Sequence, residues 1–262
     1  MAGRGFTVAA AVNDRRTLMN NLLRSPDIHR GECSVVIKEN FHSASLAYNS
    51  ALDEAENDIV VFAHQDVYLP EGWFAELSRH LLDLEQRRIR WGVLGVFGSN
   101  RTVHGGLGLV YTTGRGFHGN RIDHPEPVET LDEIVLVLKK SSGLRFDSSL
   151  PHFHFYGTDI CMLSTERGFV NCSIPAFCVH NTNQLLSLPN EFYDCYSYIK
   201  KKWANHLPIY TSCIKVSRFD EDLRWRKIRD VGEKVFRRRQ VPVRRMDDPR
   251  VVLSAWRVPF GP

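Results

Sequence analysis

Three polar stretches follow directly on apolar runs, and they hold side chains that could do chemistry. Asn13-Asp14 follows Phe6–Val12, Lys38-Glu39-Asn40 follows residues 34–37, and His64-Gln65-Asp66 follows Ile59–Ala63. If these runs are parallel neighbours in one sheet, their ends lie side by side and surround one crevice. Three carboxylates, a lysine and a histidine there suit a nucleotide. One carboxylate reads the base, and another holds a hard divalent cation, which prefers oxygen ligands and keeps phosphate oxygens as partners. A single polar strand end is ordinary, because strands stop and loops are polar. Three in succession at one edge point to a site, with Asp14, Glu39 and Asn40 as nucleotide contacts by position.

The elements that must position these residues are legible in the periodicity. Helical spacing covers residues 17–23, with Leu18, Leu22 and Leu23 on one face. It returns at 43–55, where Ser43 is the expected N-cap and Leu46, Ala47, Ala51 and Leu52 face inward. It returns again at 72–84, with Phe74, Leu77, Leu81 and Leu84 as the buried stripe. A fourth strand is expected at 91–97. Strands alternating with helices predict an α/β fold: a mostly parallel, Rossmann-like sheet with helices on both faces. The Gly-rich residues 98–120, which carry His104 and His118, read as a hairpin or loop excursion. A strand at 134–138 is entered through Asp132-Glu133. A helix is expected to start near Thr158, and a short strand at 177–179 ends at His180. Phe192, Tyr196, Ile199 and Trp203 give 191–206 a helical stripe.

Composition bounds the class. The 262 residues are 43% hydrophobic and 24% charged, which excludes disorder and collagen-like repeats. No apolar run approaches the roughly 20 residues of a membrane span. Phe6–Val12 is better read as a first buried strand than as a signal-peptide core, because Asn13-Asp14-Arg15-Arg16 follows at once. The six cysteines form no CxxC pair, so free thiols in a reducing cytoplasm are expected. The net charge of +4 is uneven: residues 215–262 hold 14 basic and 7 acidic side chains, while the first 214 are slightly acidic. The basic tail is expected first to pack against the body or a second copy in a homo-oligomer. Peripheral contact with the inner face of a membrane comes second, and nucleic acid third.

The segment Asp58-Ile-Val-Val-Phe-Ala-His-Gln-Asp-Val-Tyr-Leu-Pro-Glu-Gly-Trp73 resembles the metal-binding stretch of nucleotide-sugar glycosyltransferases of the GT-A fold. Those enzymes have an apolar strand, an Asp-x-Asp motif and a Pro-x-x-Trp-like turn into a helix. Ala47-Tyr-Asn-Ser-Ala-Leu52 looks like the helix that precedes this strand in inverting family-2 transferases. Phe146-Asp147, Tyr156-Gly-Thr-Asp-Ile-Cys161, Gly168 and Val179-His180 follow in the family's order. Leu131-Asp132-Glu133 and His154-Phe155-Tyr156-Gly157 look typical of the glycosyltransferase-like group that includes a streptomycin-biosynthesis protein. The resemblance covers residues 6–210, leaving 211–262 as a basic extension.

The resemblance implies roles residue by residue. Asp66 matches the last Asp of Asp-x-Asp and implies a Mn²⁺ or Mg²⁺ ligand, and His180 implies a second. His64 stands where the first Asp is usual, which leaves it either a ligand favouring Mn²⁺ or a donor contact. Asp159 implies the general base of inverting transfer, although Thr158 replaces the usual Glu. Asp132 and Glu133 imply acceptor-side or donor-sugar contacts. His152 and His154 line an acceptor pocket or sit exposed in a loop. The implied partners are a nucleotide-sugar donor and a glycan, lipid-linked or small-molecule acceptor. The two departures keep open a non-catalytic nucleotide-sugar or glycan-binding protein on the same fold. A nucleotidyltransferase lacks its Gly-rich, basic phosphate loop after the first strand.

Overall fold

Strand β1 (Phe6–Val12) reads Phe-Thr-Val-Ala-Ala-Ala-Val and is buried at six of its seven positions, as a strand covered on both faces must be. Asp14 then caps helix α1 (Arg15–Asn20), its carboxylate accepting from the Arg16 and Thr17 backbone N–H groups. The helix expected over 17–23 stops early. Asn21 breaks it with φ −125° and ψ −87°, and a 3-10 turn at Leu22–Arg24 leads to the short helix α2 (Pro26–His29). Strand β2 (Ser34–Glu39) follows, then α3 (Ala44–Glu54), β3 (Ile59–Ala63), the two-residue β4 (Val67–Tyr68), α4 (Trp73–Gln86) and β5 (Trp91–Gly95). Ser43 caps α3 as expected, accepting from Leu46 N at 3.3 Å. Leu46 itself is 40% exposed, and Tyr48 takes the inward place assigned to it. In α4 all four expected core positions are buried.

The chain then makes short strands β6 (Gly98–Ser99), β7 (Val110–Thr112), β8 (Gly116–His118), β9 (Glu126–Pro127) and β10 (Thr130–Leu131) before the long β11 (Val135–Lys139). Helix α5 (Tyr156–Glu166), β12 (Val170–Ser173), β13 (Val179–His180) and α6 (Asn190–Lys202) follow. The chain ends in β14 (Ile209–Tyr210), β15 (Lys215–Val216), α7 (Glu221–Phe236) and α8 (Val251–Trp256). This computed structural model describes residues 5–103, 105–185, 187–236 and 242–256. His104, and in the basic tail Arg237-Arg238-Arg239, Val258, Phe260 and the side chain of Trp256, lie outside what is described.

The central sheet has seven strands in the order β2-β1-β3-β11-β5-β12-β9. β1 is parallel to both β2 and β3, so the three polar strand ends do share one edge. The fourth strand of the sequence reading, β5, is not their neighbour: antiparallel β11 lies between β3 and β5. Its Val-Leu-Val-Leu run is apolar on both faces, as in a parallel strand, so its direction could not be read from composition.

Period-2 alternation splits the core into two layers. Ala9, Val60, Phe62, Leu136 and Leu138 face α3, α5 and α6. Val8, Ala10, Val61, Ala63, Val135 and Val137 face α1 and α4. A second sheet, β4-β13-β7-β8, stands at the end of β3 and carries the chain past the polar edge. Among the described residues no helix is long and apolar enough to cross a membrane. All six cysteines are free; four are buried, Cys33 is half-buried and Cys213 is exposed.

Candidate functional site

Three side chains converge where the two sheets meet. His64 and Asp66 sit in the turn between β3 and β4. β13 runs antiparallel to β4 in a register that sets His180 opposite Val67, one residue beyond Asp66. The Asn181 N–H donates to Asp66 O at 2.8 Å and locks that register. As a result one ligand atom from each of His64, Asp66 and His180 lies within 4.8 Å of the others. The His180 Nε2 to Asp66 Oδ1 distance is 3.4 Å, and the two imidazole centroids are 5.5 Å apart. One carboxylate and two imidazoles form a donor set that fits a divalent transition ion, and the imidazoles favour Mn²⁺ over Mg²⁺.

The electrostatics follow from this geometry. Burial alone would raise the Asp66 carboxyl, but the His180 and His64 charges and a hydrogen bond from Thr182 hold it far below the usual carboxylate range. His64 is pushed down to about 4, first by burial and then by His180, so its ring is neutral at pH 7. Burial also lowers His180, but the Asp66 charge outweighs it and the net shift is upward. Arg245, far along the chain, opposes that upward shift.

A hydroxyl orients His64. Its Nε2 lies 2.8 Å from the Tyr156 Oη, and Tyr156 donates to Glu133 O at 3.2 Å. With the tyrosine proton so assigned, His64 Nε2 carries the ring hydrogen and Nδ1 keeps its lone pair for a cation. Tyr156 opens α5, two residues earlier than the sequence suggested. The residue before it, Phe155, is left-handed at φ 63° and gives the helix no side-chain cap. Glu133 fills the role instead: its Oε1 accepts from Gly157 N at 3.4 Å. Gly157 permits the approach, since a Cβ there would meet Leu131 O at 2.8 Å and Glu133 Cγ at 3.1 Å. Burial and the neighbouring Asp132 charge push Glu133 up to about 8 despite the backbone donors. Asp132 bonds Ser212 Oγ at 2.5 Å and Ile134 N at 3.1 Å.

Of these groups, His64, Asp66 and Tyr156 border a cleft of about 530 Å³; His180, Asp132 and Glu133 are not among the residues that line it. Asn13, Lys38, Asn40, His64, Gln65, Asp66 and Phe153 line it. Gln65 staples two strand ends together, its Oε1 accepting from the Asn13 and Asp14 N–H groups at 3.1 Å each. Of the nucleotide candidates, Asn40 lines the cleft in a left-handed conformation, φ 63°. Glu39 is held in a bidentate pair by Arg15 at 2.7 Å. Asp14 spends both oxygens on capping α1. Asp159 stands apart from the cleft lining. Its two oxygens accept from Trp203 Nε1 at 2.7 Å and Lys202 Nζ at 2.9 Å, and Lys202 also bridges to Asp147. His152 faces Asp194 at 3.3 Å, and His154 packs edge-on against Phe192.

Four participants were not singled out from the sequence. Gln65 lay inside the motif but between its acids. Tyr156 and Tyr48 were landmarks without a role. Asn181 is fully buried and hydrogen-bonded to Thr113, Asn21 and Met246. Its partners lie far away in the chain, and local sequence carries no sign of them.

A family model described as a glycosyltransferase-like family matches residues 16–206, and the chain belongs to that family. The ATP synthase subunits region ORF 6 protein of Fuscovulum blasticum is 29% identical over 133 residues, 49% of this chain and 53% of that protein. The chain thus spans about half the length of the curated relative it matches. Among solved structures, GalNAc-T7 with UDP, GalNAc and Mn²⁺ is 9% identical, covering 68% of this chain and 44% of that one, at TM-score 0.49. The mannosyltransferase PcManGT from Pyrobaculum calidifontis, in complex with GDP-Man and Mn²⁺, is 13% identical, covering 78% and 64%, at TM-score 0.44. Family membership does not rest on these slight likenesses. The helix-flanked, mostly parallel sheet has the GT-A arrangement that the sequence led us to expect.

Proposed function

We propose that the chain is an inverting glycosyltransferase that moves a sugar from a nucleotide-sugar donor to an acceptor hydroxyl, with a divalent cation held by His64, Asp66 and His180. The convergence of these three residues, two of which line a cleft of about 530 Å³, carries the reading, and family membership supports it. In the reaction the acceptor oxygen attacks the anomeric carbon, and the bond from that carbon to the β-phosphate oxygen breaks. Its electron pair stays on the phosphate, and the acceptor proton passes to a base. When bound, Mn²⁺ or Mg²⁺ supplies charge that offsets the negative charge gathering on the departing nucleoside diphosphate.

The protein's own groups prepare this step. Asp66 stays ionised across the working pH range, and Tyr156 keeps the His64 lone pair facing its partners. Asn13 and Asn40 offer amide N–H groups to the donor along the cleft. We assign the base to the ionised form of Glu133: with its carboxyl pushed up to about 8, only a minority is ionised at pH 7, but that minority takes a proton well, so transfer should rise with pH toward about 8. Asp159 is the rival, and it can serve only by giving up Lys202 and Trp203.

The test uses a panel of UDP- and GDP-linked sugars. Donor hydrolysis and transfer are followed with and without EDTA, in wild type and in Asp66→Ala. Activity that ignores both EDTA and the substitution overturns the metal assignment. Glu133→Gln should bind donor yet transfer at least a hundredfold more slowly. Full turnover in that variant together with none in a folded Asp159→Asn moves the base to Asp159.

A further inference from the structure

The described C-terminal segment returns to the chain that follows His180. Gln184 N donates to Val243 O at 2.9 Å, and Val243 N to Gln184 Oε1 at 3.1 Å. Arg245 N donates to Asn183 Oδ1 at 3.0 Å. Met246 N donates to Asn181 Oδ1 at 2.7 Å, and Asn181 Nδ2 donates to Met246 O at 2.8 Å. These five bonds lay residues 243–246 as a strap along the chain that follows the metal ligand His180.

The strap brings one guanidinium to the polar strand ends. Arg245 reaches Asp14, beside the cleft residue Asn13, at 3.8 Å. That is too long for a hydrogen bond, and Asp14 already spends its oxygens on the α1 cap. Two other cations at these strand ends are committed. Arg15 is fixed on Glu39 by two bonds, and Lys38 is held by Glu54. Among the described residues Arg245 makes no shorter ion pair, and its side chain is 28% exposed.

We propose that Arg245 binds the diphosphate of the donor, so that the basic tail completes the active site rather than only packing on it. This rests on the donor-site reading above. A guanidinium presents paired N–H donors that match phosphate oxygens. A diphosphate held by one divalent cation gains a negative charge as the sugar leaves, and in this reading Arg245, beside Asp14 on the strap, meets that charge.

The test measures binding of Mn²⁺ and then of inorganic pyrophosphate by calorimetry, in the full chain. Wild type should bind Mn²⁺, then pyrophosphate more tightly than orthophosphate. Arg245→Gln should bind Mn²⁺ at least as well as wild type while losing tenfold or more of its pyrophosphate affinity. Arg245→Lys, which keeps the charge without the fork, should fall between. Arg244→Gln removes the same charge from the exposed neighbour and should leave both affinities unchanged, with a melting temperature close to that of Arg245→Gln. Wild-type pyrophosphate affinity in Arg245→Gln, or an equal loss in Arg244→Gln, overturns the proposal while leaving the metal centre intact. If wild type binds neither Mn²⁺ nor pyrophosphate, the donor-site reading falls with it.

Discussion

Asn181 treats Met246 as a neighbouring strand would: its side-chain carbonyl accepts the Met246 N–H at 2.7 Å, and its amide donates to the Met246 carbonyl at 2.8 Å. The same side chain also bonds Asn21 and Thr113, while its backbone N–H reaches Asp66. One buried amide thus ties the metal loop, the end of α1 and the C-terminal strap together. Asn181→Ala should cost about 2–4 kcal/mol, because several buried polar partners lose their bonds at once. A lowered urea midpoint with weakened Mn²⁺ binding is the expected outcome. An unchanged midpoint would show that the strap is not held this way.

Metal binding should be pH-dependent in a stated direction. His180 titrates above its ordinary range and Asp66 below it. Without metal, the pair stabilises the fold fully between about pH 4 and 6.5. That stability is lost as pH rises through the raised His180 pKa, and as pH falls through the depressed Asp66 pKa. A cation competes with the His180 proton, so Mn²⁺ affinity should rise between pH 6 and 8, with about one proton released per ion at most. His64, at about 4, is already neutral and releases none. Affinity that stays flat over this range contradicts the assignment.

Glu133 supplies a second pH signature. A carboxyl raised to about 8 keeps its proton in the folded state while the unfolded chain has released it. Its contribution is full below the ordinary glutamate value and is lost as pH rises to about 8. Glu133→Gln mimics the protonated form, so it should flatten this slope and be more stable than wild type above pH 8. Parallel stability curves for the two proteins would refute the raised pKa.

Asp159→Asn separates structure from chemistry. The substitution leaves Lys202 with Asp147 alone and weakens the Trp203 bond. A loss of about 1–3 kcal/mol is expected, because the charge-assisted bonds to Asp159 are buried. Mn²⁺ affinity should not change. A variant as stable as wild type would mean that this buried network contributes nothing.

Much of the fold was written locally. β1 and β3 begin and end where their apolar runs do, and the α4 stripe is the one its spacing gave. The Asp66–His180 pairing was accessible only through resemblance, because a ladder between β4 and β13 joins residues over a hundred positions apart. Two kinds of information were out of reach. Strand direction was hidden in β11, whose sides are equally apolar. The strap was hidden because Arg245 is one of many basic residues in its stretch, and only the Asn181 bonds single it out. Asp159 shows the converse: the motif suggested its role, but Trp203 and Lys202, brought back by α6, occupy its oxygens.

The central claim is that His64, Asp66 and His180 hold one divalent cation at the donor cleft. The most direct test is pulsed electron paramagnetic resonance of the protein titrated with Mn²⁺. One site per chain is expected, with modulation from two imidazole nitrogens, one of them lost in His180→Ala and the site itself lost in Asp66→Ala. A wild-type chain that binds no Mn²⁺, or an Asp66→Ala variant that binds it with the same two nitrogens, would contradict it.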